Sequence, residues 1–139
     1  KTNLHKAAAI FKSFGIPVYV VWDSDAGKYR EREQIKNNIE NNHRLLRLFD
    51  EPLEDYPSKV KENFACFKVD LENTLKEELT GELYKDLLEK YKQQFGYNKQ
   101  DQAKKSPHVI EAVISEARSQ GKESITLKRI IENILKLTK

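Results

Sequence analysis

Val18-Tyr19-Val20-Val21-Trp22-Asp23-Ser24-Asp25-Ala26-Gly27 is an apolar run that ends abruptly in two carboxylates at i, i+2. Val, Tyr and Trp favour the pleated surface, Pro17 stands where a strand can begin, and Gly27 lets the chain turn away. The stretch predicts a buried strand over 18–22. In open α/β sheets ligands bind just beyond the carboxyl ends of strands, which is where Asp23 and Asp25 fall. Two carboxylates this close repel each other, and a hard, oxygen-preferring divalent cation is the simplest neutraliser.

Working outward, Leu4, Ala7, Ala8, Phe11 and Phe14 recur at helical spacing, with Asn3 as N-cap and Gly15 as stop, and predict a helix over 4–14. Lys28–Arg32 is highly charged and reads as loop. Ile35, Ile39, Asn42, Leu46 and Phe49 trace a helical face over 33–49, and Pro52 and Pro57 bracket an acidic connection. Phe64-Ala65-Cys66-Phe67-Lys68-Val69 is a second strand candidate, and it too ends in acids, Asp70 and Glu72. Leu75, Leu79, Leu83, Leu87, Leu88, Tyr91 and Phe95 predict one long helix closed by Gly96. The stretch 97–105 reads as loop. Ser106-Pro107 starts a helix with Val109, Ile110, Val113, Ile114 and Ala117 on its apolar face. Thr126 is placed to cap a last helix whose buried side is Leu127, Ile130, Ile131, Ile134 and Leu135.

The order helix, strand, helix, strand and then helices is an α/β pattern. The chain has 139 residues, enough for one domain, split into a sheet-forming part (1–72) and a mainly helical part (73–139). Two strands are too few for an independent sheet. The chain lacks Met and opens on Lys1-Thr2-Asn3 inside a helical pattern, so a piece of a longer protein, missing N-terminal strands, is expected.

Composition narrows the function classes. Lys and Arg number 25 against 22 Asp and Glu, a net charge of +3, which permits nucleic-acid binding without demanding it. No apolar run approaches the roughly 20 residues that span a bilayer, and no signal-peptide pattern opens the chain, so a cytoplasmic protein is expected. The single Cys66 lies in an apolar segment and reads as buried filler.

If the two strands are parallel neighbours, Asp23, Asp25, Asp70 and Glu72 reach one sheet edge and can hold one or two divalent ions. Asp-x-Asp also serves as a turn and cap element, because Asp bonds nearby backbone N–H groups; position after an apolar strand, and its echo at the second strand, favour the metal. An EF-hand loop from Asp23 fails at its sixth position, Lys28, and its twelfth, Gln34. Lys122, beside Gly121, stands where a lysine can stabilise transition-state charge. Lys104, Lys105, Arg118, Lys128 and Arg129 are candidates to track a DNA backbone. His5, His43 and His108 lie on separate helices without ligand spacing and read as structural.

Several of these residues resemble a known family. Lys1-Thr2-Asn3-Leu4 before an Ala-rich helix, Gly15-Ile16-Pro17-Val18-Tyr19-Val20-Val21-Trp22-Asp23-Ser24-Asp25, Asn42-His43-Arg44-Leu45-Leu46-Arg47-Leu48, Phe67-Lys68-Val69-Asp70-Leu71-Glu72 and the Gly121-Lys122 loop fall in the order of the Toprim domain of OLD-family (overcoming lysogenization defect) ATP-dependent endonucleases. The resemblance implies the C-terminal portion of a Rossmann-like Toprim domain with additional C-terminal helices. It implies DNA hydrolysis at a two-metal site using Mg²⁺ or Mn²⁺, with Asp23, Asp25, Asp70 and Glu72 as metal ligands and Lys122 as catalytic lysine. The family's first strand carries an essential Glu that no residue upstream of Leu4 supplies, so the isolated fragment is expected to be inactive. The family's ABC-type ATPase domain would be a partner in the parent protein, since no phosphate-binding Gly-x-x-x-x-Gly-Lys-Ser/Thr pattern occurs here. Self-association stays open. Two rival classes remain: a haloacid-dehalogenase-like phosphatase with Asp23 as nucleophile and Asp25 as general acid, and a non-catalytic helical interaction module in which the acids are caps.

Overall fold

The computed structural model describes residues 3–137 and 139; the Lys1-Thr2 portion of the resemblance lies outside them. Among the described residues the chain is mixed α/β, with seven helices and one three-stranded sheet. In order these are α1 (Leu4–Ser13), β1 (Val20–Asp23), α2 (Arg32–Leu48), β2 (Lys59–Val60), β3 (Phe64–Phe67), α3 (Leu71–Glu78), α4 (Gly81–Gln94), α5 (Gln100–Ala103), α6 (Pro107–Ser119) and α7 (Ile125–Leu137). The chain divides into two compact units. One runs through Leu71 and resumes at Arg129, and the other is Glu72–Lys128.

In the first unit the sheet order is β1-β3-β2. β1 and β3 are parallel, with Val20 beside Phe64 and Asp23 beside Phe67, while β2 and β3 are antiparallel. β2 falls just after Pro57, beyond the acidic connection that Pro52 and Pro57 bracket; two residues are too short to show a strand period. With it the sheet reaches the three strands that stability normally requires.

The pleat sorts the side chains into two faces. Val20, Trp22, Phe64 and Cys66 pack with Ala8 of α1 and with Leu45 and Leu46 of α2. Trp22 and Phe49 both stack on Phe64, with ring centroids 5.2 and 4.8 Å away. On the other face Ala65 and Phe67 pack against Ile130 of α7, with Tyr19, Val60 and Leu71 around them. Burial pushes the Cys66 thiol up to about 11, so it stays protonated and inert at neutral pH.

Two expected apolar faces are not buried as read. In α1 only Ala8 is buried, and Phe11 and Phe14 are exposed, Phe14 by 77%. In α7 the buried residues are Ile130 and Asn133, whereas Ile131, Ile134 and Leu135 face outward. Asn133 is inside because its Nδ2 donates to the Lys61 carbonyl, 2.8 Å away. A hydrophobic stripe gives a helix its period, but tertiary hydrogen bonding decides which side turns inward.

In the second unit the expected long helix is two. α3 ends at Glu78 and α4 starts at Gly81, and between them Thr80 takes φ +66°. The leucine spacing runs through the break because both helices bury leucines, Leu75 on α3 and Leu87 and Leu88 on α4. Glu116 of α6 ties α4 down, accepting from Lys90 Nζ and Tyr91 Oη, each at 2.6 Å. The 97–105 stretch, read as loop, contains the short α5. Ser124, not Thr126, is the side-chain cap of α7: its Oγ accepts the Leu127 amide at 3.1 Å.

Candidate acidic site at the strand ends

Beyond β1 the chain keeps following β3. The amides of Ser24, Asp25 and Ala26 donate to the carbonyls of Phe67, Val69 and Lys68 at 2.8, 3.1 and 2.9 Å. These bonds carry Asp23 and Asp25 alongside Asp70. The turn then closes with Lys28 N–H on the Asp25 carbonyl at 3.2 Å. Asp25 itself has φ +60° and Gly27 φ +75°, left-handed conformations that Asp tolerates and Gly adopts freely.

The loop is gripped from below by buried polar groups. Ser24 is fully buried, its Oγ donating to the Pro57 carbonyl at 2.7 Å. Its own carbonyl accepts from Asn38 Nδ2 at 2.8 Å and Asn42 Nδ2 at 3.0 Å, one helical turn apart on α2. Asn42 also donates to the Asp55 carbonyl at 2.7 Å, while His43 Nε2 meets Asp55 Oδ1 at 2.9 Å. Polar side chains in a helix's buried face are costly unless satisfied, so they mark a specified contact.

Three of the four expected acids converge. Lys28 Nζ lies 3.1 Å from Asp25 Oδ1 and 3.0 Å from Asp70 Oδ2, so those oxygens are separated by no more than the sum of the two distances. Asp23 Oδ1 accepts the Leu71 amide at 3.1 Å. Burial pushes the Asp23 carboxyl above the usual value, and the nearby charges of Asp25 and Asp70 add to this; the Leu71 amide and Lys28 oppose it. Burial disfavours the Lys28 ammonium, but its bonds to Asp70 and Asp25 outweigh that and raise its pKa overall. Glu72 belongs to the other unit, where its carboxylate pairs with Lys76 and Lys104, each at 3.0 Å.

Lys122 is also in that second unit. Its amide donates to the Ala117 carbonyl at 2.9 Å, ending α6 with Gly121 at φ +79°, and its side chain is exposed. Of the basic residues named for a DNA backbone, Lys104 pairs with Glu72, and Arg118 and Lys128 both lie near Glu123, at 3.6 and 3.3 Å. Those charges are directed at neighbouring carboxylates.

Among the described residues, no three His, Cys, Asp or Glu side chains stand in metal-ligating geometry. The donor chemistry of Asp23, Asp25 and Asp70 nonetheless fits a hard cation, all three being carboxylates at the end of one sheet. The positive charge that meets Asp25 and Asp70 is Lys28. Lys28 lies in the segment that reads as a charged loop, and a base three residues after Asp25 is placed to fold back on it. Asn42 falls on the helical face traced by Ile35, Ile39, Leu46 and Phe49, and with Asn38 at i, i+4 it is a visible sign of a buried polar contact.

Fold and site define an α/β protein with an acidic cluster at the carboxyl ends of two parallel strands. Compared with protein-family models, curated proteins and solved structures, the chain matches none. No helix is long and apolar enough to cross a membrane, among the described residues.

Proposed function

We propose that Asp23, Asp25 and Asp70 form a divalent-cation site for phosphodiester hydrolysis of DNA, in a Rossmann-like Toprim domain of the OLD-family type. The observation that carries this is the meeting of Asp25 and Asp70, from the ends of adjacent parallel strands, on a single positive charge. Bound Mg²⁺ or Mn²⁺ would supply an activated water and charge stabilisation at the phosphate. The chain's own part is to hold the carboxylates. Asn38 and Asn42 fix the Ser24 carbonyl, and the Leu71 amide orients Asp23. Membership of a larger ATPase-coupled nuclease, with its ATPase domain as partner, belongs to the same proposal and rests on the ordered resemblance. Glu72 and Lys122 are not needed to support it.

The test is conversion of supercoiled plasmid to nicked or linear form in Mn²⁺ by the parent protein, with Asp23→Asn/Asp25→Asn beside wild type and the folding of both checked. Loss of cleavage only in the variant is expected. Equal cleavage by both would move the chemistry elsewhere and return the acids to turn and capping duty.

A further inference from the structure

In the second unit, residues of α3, α4 and α5 line a cavity of about 230 Å³ whose charged walls are all basic. Lys76 of α3, Lys85 of α4, and Gln100 and Lys104 at the two ends of α5 face it, and no acid is among the described lining residues. Tyr84 and Leu88, each 1% exposed, supply an apolar wall. Three ammoniums around one space repel each other, more so against a wall of low dielectric. One carboxylate answers them: Lys76 Nζ and Lys104 Nζ both lie 3.0 Å from the same oxygen of Glu72, Oε1. Lys85 stands outside that pairing, so three positive charges face one negative charge. The fourteen-residue α4 also begins at this cavity. A Cβ built on its first residue, Gly81, would meet nothing within 4 Å, and the preceding Thr80 makes no side-chain cap bond. The lysines carry the charge, and the uncapped helix end adds to it.

We infer that this cavity is a binding site for a phosphomonoester, the group carried by a free nucleotide or by the 5′ end of a nucleic-acid strand. A phosphomonoester holds close to two negative charges at neutral pH, which matches the excess around the cavity, whereas a phosphodiester holds one. Typical small-molecule clefts measure about 300 to 1,000 Å³, so this smaller space takes a phosphate and the atoms next to it. A strand end can enter it, and the middle of a duplex cannot. The bound phosphate gives Lys76 and Lys104 the second anion that Glu72 alone does not provide. Lys85, on the exposed side of α4, closes over it as a point charge on a flexible stem. None of this rests on the strand-end acids, which belong to the other unit.

The test is calorimetric titration of adenosine 5′-monophosphate into the wild-type chain, Lys85→Met, Lys104→Met and, as a control for net charge, Lys105→Met, which is exposed and outside the lining. Thermal melts check the folding of all four. Saturable binding to wild type is expected, weakened at least about fivefold by Lys85→Met and Lys104→Met and unchanged by Lys105→Met. Lys85→Met decides if Lys104→Met fails to fold, since Lys85 takes no part in the Glu72 pairing. No saturation of wild type at about 10 mM ligand overturns the inference. Equal weakening by all three substitutions, or equal binding of adenosine without its phosphate, overturns it too. In NMR spectra the Gly81 and Glu82 amides should shift with added inorganic phosphate, and unmoved amides there count against the site. A 5′-phosphorylated single-stranded oligonucleotide and its unphosphorylated counterpart separate the sources. Preference for the phosphorylated strand over the mononucleotide assigns the group to a strand end, and the reverse order to a free nucleotide. Binding of the two strands alike overturns a phosphomonoester site.

Discussion

Asn42 donates a hydrogen bond to the backbone carbonyl of Ser24, 3.0 Å away, and so anchors the acid-bearing loop to the middle of α2. The bond joins residues 18 apart in sequence and is fully buried at both ends. Replacing Asn42 with Ala leaves the Asp55 carbonyl without that donor and strips the Ser24 carbonyl of one of its two Asn donors. The expected loss of stability is about 1 to 3 kcal/mol, read as a lower urea midpoint. Mn²⁺ affinity should fall as well, since Asp25 loses its support. A variant that unfolds more easily yet binds Mn²⁺ unchanged in its folded form would show that the loop holds its shape alone.

Asp23 should make the fold less stable as its proton is lost. Its carboxyl is raised above the usual 3.8, first by burial. The folded state thus holds the proton more tightly than the unfolded chain. Its contribution is full below the unfolded value and disappears as pH rises through the raised folded one. Asp23→Asn removes this dependence and can still accept the Leu71 amide. Urea midpoints of variant and wild type should therefore separate as pH is raised from acid to neutral, with the variant the more stable at neutral pH. A gap that shrinks over that range would contradict the burial argument.

In the second unit, Glu78 holds the start of α7. Its carboxylate accepts from the Thr126 amide at 3.1 Å and from the Thr126 and Ser124 hydroxyls. Glu78→Ala leaves these first-turn donors unpaired and is expected to cost about 1 to 2 kcal/mol. Hydrogen exchange of the Thr126 and Leu127 amides should accelerate more than that of the α6 amides. Uniform acceleration throughout would point to global loosening instead of an uncapped helix.

Two phenylalanines should behave oppositely. Phe64 is 1% exposed and stacks with Trp22 and Phe49, so Phe64→Ala should remove about 3 to 5 kcal/mol. Phe14 is 77% exposed, and Phe14→Ser should change stability by about 0.5 kcal/mol or less. A large loss at Phe14, seen in thermal melts of the chain, would mean that α1 is covered.

β1 and β3 were legible because a sheet strand writes its own signature, a run of Val, Phe and Trp that ends in polar residues. α2 was legible from its period, and α6 from its period and from Pro107 at its first turn, although the Ser106 side chain makes no cap bond. Burial within helices was less so. The periodicity of α1 and α7 names an apolar side, but Phe11, Ile131 and Leu135 stay outside because Ala8, Ile130 and Asn133 make the contacts. The break at Thr80 was hidden by leucines that keep step across it. At the site, the acids stood out by spacing. Ser24 did not, because its role depends on pairings with Pro57, Asn38 and Asn42 that no local pattern around it encodes.

Asp25 and Asp70 are proposed to share one cation. The most direct measurement of that sharing is Mn²⁺ binding by the folded chain, compared by calorimetry with Asp25→Asn and Asp70→Asn, each checked for a cooperative melt. A shared site predicts saturable binding to wild type that either substitution abolishes or weakens at least about tenfold. Binding of equal strength in all three proteins, or no binding to wild type at millimolar Mn²⁺, would contradict it.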